Sequence, residues 1–199
     1  MRILVIGATG TIGRAVVDVF KPVHEVVPVS RRSTPITLDM ADPSSIAAMY
    51  QQVGIVDAVV SAAGDARFAP LAQLSDEDFR FSIANKLLGQ VNLVRLAFEH
   101  LRDGGSITVT SGILARSPMV GSAAISLVNA ALEGFIRAAA LEAPRGIRVN
   151  AVSPPWVSET LTKLGMDPAP GLRAATVAGA YLESVTGTQT GMVIEPRGS

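Results

Sequence analysis

The sequence predicts an α/β fold, a single doubly wound parallel sheet with helices on both faces. Three observations predict it. Short β-branched runs alternate with helical stretches along the whole chain, and a glycine-rich turn follows the first of these runs. The chain also has 199 residues of which 48% are hydrophobic, enough for one domain, residues 1–199, with a sizeable core.

The elements follow in order. Strands are expected near 2–6, 24–29, 57–60, 106–110, 147–152 and 191–195, where β-branched residues cluster. Helices are expected near 12–20, 43–52, 76–101, 120–142 and 172–184, where apolar residues recur at three- and four-residue spacing. Asp or Ser precedes several of these helices. In "ADPSSI", Asp42 stands before Pro43 at the first helical position. One connection is abnormal: only "SRRSTP" separates the second strand from "ITLD", whereas a parallel crossover normally takes about a dozen residues or more. The third strand is therefore either very short and reached by a bare loop, or irregularly paired.

Composition excludes several classes of function. Seventeen Lys and Arg balance seventeen Asp and Glu, so no global field favours nucleic acid or an anionic membrane as partner. The absence of cysteine excludes disulfides, thiolate catalysis and thiolate metal sites. The two histidines, His24 and His100, have no ligand-like spacing, so no metal site is expected. The first apolar run is far too short for a signal segment or a membrane span, and a cytoplasmic location is the resulting expectation.

The chemistry begins at "LVIGATGTIGRAVVDVF", a strand, a turn with Gly7, Gly10 and Gly13, and an amphipathic helix. Glycines let the backbone approach a pyrophosphate, and the unpaired N–H groups of the next helix favour phosphate. At the end of the second strand an acidic residue would bond the ribose 2′-OH of NAD. Here Ser30, Arg31 and Arg32 stand instead, which suits a 2′-phosphate and makes NADP(H) the expected cofactor.

Further segments stand in a telling order: "LDMAD", "SAAG", "SIANKLLGQVNLV", "GSITVTSG", "RGIRVNAVSPPWVSET" and "TGMVI". With "GATGTIG" they make the chain resemble the short-chain dehydrogenase/reductase family over nearly its whole length. The resemblance implies a Rossmann-type domain in which Gly7, Thr9, Gly10, Thr11, Ile12 and Gly13 line the dinucleotide. It puts Asp39 and Met40 at the adenine, and Ser61, Ala62, Ala63 and Gly64 where the family usually has Asn-Asn-Ala-Gly. It gives Asn85 the proton-relay water and Ser111 the part of catalytic serine. Pro154 and Val157 fall in the turn that grips the nicotinamide carboxamide, with Pro155 replacing a glycine. The family's Asp-Gly-Gly ending is missing.

The same resemblance places Asn129 at the family's lysine position and Ile125 at its tyrosine position, four residues earlier. Isoleucine has no proton to transfer, and asparagine can hydrogen-bond a ribose hydroxyl without charge. Tyr50 and Tyr181 are placed on helices away from the strand ends. Lys86 is the remaining cationic candidate. In a regular helix it points about 100° from Asn85, hence toward solvent or an interface if Asn85 faces the cleft; only a local bulge would reverse this. Asp65 and Arg67 fall at the expected cleft mouth.

Two functions are compatible with these features. One is an NADP(H)-binding oxidoreductase acting on a small carbonyl or alcohol substrate with non-standard proton transfer, using Ser111, Asn85 or Lys86. The other is a catalytically inactive NADP(H)-binding sensor or regulatory protein. The 120–142 segment is apolar on more than one face, which predicts a homodimer or homotetramer through it and the 76–101 helix.

Overall fold

The computed structural model describes residues 1–198. Seven parallel strands form one sheet in the order β3-β2-β1-β4-β5-β6-β7. They are β1 (Arg2–Ile6), β2 (Glu25–Ser30), β3 (Ile36–Thr37), β4 (Val56–Ser61), β5 (Leu101–Thr110), β6 (Arg148–Val152) and β7 (Val193–Ile194). The helices are α1 (Thr11–Phe20), α2 (Pro43–Val53), α3 (Asp76–Ser82), α4 (Gly89–Ala97), α5 (Ala123–Glu142), α6 (Ser158–Lys163) and α7 (Ala174–Thr186).

Each face of the sheet buries its own apolar layer, because strands covered on both sides are apolar in successive residues. On one face Ile46, Met49 and Tyr50 of α2, Leu93 and Val94 of α4, and Leu132 and Ile136 of α5 pack against Leu4, Ile6 and Val59. On the other, Val16 and Phe20 of α1 and Val177, Ala178 and Tyr181 of α7 pack against Ile3, Val5 and Val60. The expected doubly wound sheet is present.

Local chemistry sets the helix starts. Asp42 accepts from Ser44 N–H at 2.8 Å, with Pro43 at the first helical position. Ser75 and Asp78 form a reciprocal capping box on α3. The short connection after β2 resolves as a bare loop to a two-residue strand, with Val29 opposite Ile36 and Ser30 opposite Thr37. Thr34 holds the loop, its hydroxyl accepting from Ser30 N–H at 2.7 Å and donating to Ile36 O at 2.6 Å.

The expected single helix over 76–101 is broken. Between α3 and α4, residues Ile83–Leu88 form a π turn in which Gly89 N–H bonds Ala84 O, five residues back. Residues Phe98–His100 tighten to 3-10 geometry. The expected 120–142 helix starts at Ala123. α5 is long and apolar enough by composition to cross a membrane, yet Val128, Leu132 and Ile136 lie fully buried within the fold.

Candidate active site

The strand order reverses between β1 and β4, and ligands in open parallel sheets bind outside the carboxyl ends of the strands at such a point. Two adjoining hollows open there, of about 290 and 270 Å³, sharing Ala62, Ala63 and Gly64 as a common wall.

The first hollow collects most of the residues expected to bind cofactor. Gly7, Thr9 and Gly10 line it from the glycine turn, Ser30 and Arg31 from the end of β2, and Asp39 and Met40 from the segment before α2. Asn85 also faces it, its amide donating to Phe81 O at 3.1 Å. The turn is built for close approach: a Cβ on Gly13 would lie 1.9 Å from Gly7 O. Gly10, at the N-cap of α1, provides no side-chain cap, so the first N–H groups of that helix are open to a phosphate. These features fit a dinucleotide. Thr11, Gly13, Arg32 and Ser61 do not line this hollow; Arg32 is exposed on the loop and Ser61 is buried in β4.

The second hollow brings together Lys86, Ser111, Asn129, Pro154 and Val157 with Ile12. Ile113, Leu114, Ile125 and Trp156 give it apolar walls. Trp156 stacks edge-on against Phe68, ring centroids 6.1 Å apart.

Lys86 departs from the outward placement expected of a regular helix. It is 7% exposed and faces the cleft, because the wider π turn rotates residue 86 inward beside Asn85. Gly64 makes room for it, since a Cβ there would meet Lys86 Cγ at 3.1 Å. Its Nζ finds one long contact, to Thr110 O at 3.5 Å. Burial lowers its pKa from 10.5 to about 8, with the Asp65 carboxylate acting in the opposite direction.

Ser111 is held from α5. Its hydroxyl donates to Glu133 Oε1 at 3.0 Å, and Glu133 is 3% exposed with the guanidinium groups of Arg116 and Arg137 each 3.7 Å from its carboxylate. Ile125, Asn129 and Glu133 recur every four residues, so one helix face turns all three toward this end of the sheet. Asn129 donates weakly to Gly112 O at 3.5 Å, while its buried Oδ1 has no partner.

Sequence reasoning missed Glu133 and Gln90. The four-residue continuation past Asn129 was the available signal for Glu133. For Gln90 it was a polar residue inside an apolar helical run. Gln90 clasps the backbone of Thr110 from both sides, its Nε2 donating to Thr110 O at 2.9 Å and its Oε1 accepting from Thr110 N at 2.7 Å. Tyr181 comes nearer than expected: its hydroxyl meets Thr110 Oγ1 at 2.5 Å, from the opposite face of the sheet. Tyr50 is remote, donating to Leu93 O at 2.9 Å. Arg67 lies over the Phe81 ring at 4.1 Å and pairs with Asp78 at 3.2 Å.

The family model described as Enoyl-(Acyl carrier protein) reductase matches residues 12–191. The chain belongs to the short-chain dehydrogenase/reductase family. Among curated short-chain dehydrogenase/reductase relatives it is 31% identical over 144 residues to hydroxynaphthalene reductase arp2 of Aspergillus fumigatus, covering 70% of this chain and 53% of that protein. The chain thus spans about half the length of the curated relatives it matches. The solved structure of the protein lin1944 from Listeria innocua is 43% identical with a TM-score of 0.94, covering 99% of this chain and all of that one. A small-chain dehydrogenase solved in complex with NADPH is 25% identical with a TM-score of 0.85, covering 98% of this chain and 95% of its own.

Proposed function

We propose that this chain is an NADP(H)-dependent oxidoreductase for a small carbonyl or alcohol substrate, with Lys86 supplying the proton. The observation that carries the reading is the buried ammonium of Lys86, turned into the cleft by the π turn. Gly7, Thr9 and Gly10 would hold a nicotinamide dinucleotide along the glycine turn, and the group would supply or accept the hydride. Arg31 at the end of β2 supports the phosphorylated form, as does the likeness to an NADPH complex.

In the reducing direction, Lys86 Nζ gives a proton to the oxygen of the reacting carbonyl and is left as an amine. A group with a pKa of about 8 suits that task near neutrality. Ser111, whose proton is held by Glu133, presents its oxygen as an acceptor to the hydroxyl of the alcohol form of the substrate from the β5 side. Ile113, Leu114, Ile125 and Trp156 exclude water from the reacting centre. The hydrophobic side chain of Ile125 takes the place that the family's tyrosine would occupy, and Asn129 that of the lysine.

A second reading, an NADP(H)-binding protein without turnover, is favoured by that same isoleucine, which has no proton to transfer. NADPH consumption by the purified protein against a panel of small ketones and aldehydes separates the two.

We read the assembly as a homodimer. Leu127, Ala131, Gly134, Ala138 and Leu141 of α5 are all exposed and follow one another at four- and three-residue spacing. A second copy pairing α5 and α4 about a two-fold axis would cover this apolar stripe.

A further inference from the structure

Lys86 is a buried charge without a counter-charge. Buried ammonium groups are ordinarily paired, because removing a cation from water is expensive unless an anion compensates it. Here the polar contact of Nζ is a neutral backbone carbonyl at 3.5 Å, at the limit of a hydrogen bond. Asp65 acts on Lys86 only through its field, and no ion pair to Lys86 within 4.0 Å occurs among the described residues. Glu133, the other buried acid nearby, is taken by Ser111, Arg116 and Arg137. Apart from Lys86, the residues lining the second hollow carry no charge, and Ile113, Leu114, Ile125 and Trp156 make its walls apolar.

We infer that the missing counter-charge belongs to the substrate: the cleft takes an apolar carbonyl compound that carries a carboxylate beside the carbonyl, a 2-oxo acid, and Lys86 pairs with it. This deepens the proposed function and rests on that reading for the reaction, though not for the binding. An ammonium has three protons. One points to Thr110 O, leaving two that span a carbonyl oxygen and an adjacent carboxylate oxygen. The apolar body then lies against Ile125 and Trp156.

The test is binding, which needs no turnover. Isothermal titration of the NADPH-loaded protein with 4-methyl-2-oxopentanoate and with its methyl ester compares the same body with and without the charge. The expected result is at least tenfold tighter binding of the acid. At pH 8.5 that binding should be accompanied by proton uptake, seen by repeating the titration in buffers of different ionisation enthalpy, because the arriving anion favours the ammonium. Lys86→Met should remove both the preference and the proton uptake, and Lys86→Gln repeats the comparison if the methionine variant folds poorly. Equal affinities for acid and ester, failure of both to bind, or an acid preference that survives in the variants would overturn the inference. Loading with NADPH is measured in the same samples. Protein that takes NADPH but shows no acid preference removes only the carboxylate site, whereas protein that takes no NADPH removes the proposed function.

Discussion

Ser111 donates its hydroxyl proton to Glu133 Oε1 across 3.0 Å, joining the end of β5 to the middle of α5 inside the fold. The hydroxyl oxygen is thereby turned as an acceptor toward the cleft. A hydrogen bond to a charged group contributes about 1.5–3 kcal/mol, so Ser111→Ala should lower stability by that order in a denaturant titration. Glu133→Gln keeps an acceptor oxygen for Ser111 but takes the charge away from Arg116 and Arg137, so it should cost at least as much. A Ser111→Ala loss well below about 1 kcal/mol would show that the bond itself does little.

The Lys86 ammonium gives the protein a distinctive pH profile. Its folded pKa of about 8 lies below the ordinary 10.5, so the unfolded chain binds more protons between these values and stability rises with pH. The penalty is complete below about pH 8 and is relieved above it. Burial raises the hydroxyls of Tyr50 and Tyr181, which reverses the trend above the ordinary tyrosine pKa of 10.0. Between about pH 8 and 10 the gain should be about 2–3 kcal/mol, read from urea midpoints. Lys86→Met should be flat across that window and more stable than wild type at pH 7.

Arg31 lines the hollow at the glycine turn whereas Arg32 does not. Arg31→Ala should therefore weaken NADPH binding by roughly 10- to 100-fold while leaving NADH nearly unchanged, and Arg32→Ala should do much less. Fluorescence of Trp156, in the neighbouring hollow, provides the titration signal. Equal affinity of the wild type for the two dinucleotides would contradict this assignment.

Leu127 is 45% exposed at the N-terminal end of the α5 stripe. Light scattering at micromolar concentration should give the mass of a dimer for wild type and of a monomer for Leu127→Glu. A wild-type monomer would remove the proposed assembly.

Much of this architecture was legible in the chain. The βα alternation gave the sheet, and the glycine turn with "VPVSRR" marked one hollow, because these signals are local in sequence. Lys86 was misplaced for a physical reason. Residues 76–101 have an unbroken helical pattern, and a π turn adds no residue type that distinguishes it from regular helix. The inward rotation is instead set by tertiary partners, with Gln90 bonding both Lys86 O and Thr110. Glu133 was overlooked because an acid within a helix usually faces water. Only the fold brings Ser111 and the two arginines to it.

The proposal that Lys86 supplies the proton is tested most directly by NADPH consumption in the presence of small carbonyl compounds, 2-oxo acids included, comparing wild type with Lys86→Met and with Ile125→Tyr/Asn129→Lys. Measurable wild-type turnover is expected, which Lys86→Met lowers by roughly 10²–10⁴-fold, the usual contribution of general acid–base catalysis, with NADPH binding retained. A wild-type protein that binds NADPH yet turns over nothing, while the double variant gains activity, would contradict it and establish the silent dinucleotide-binding reading.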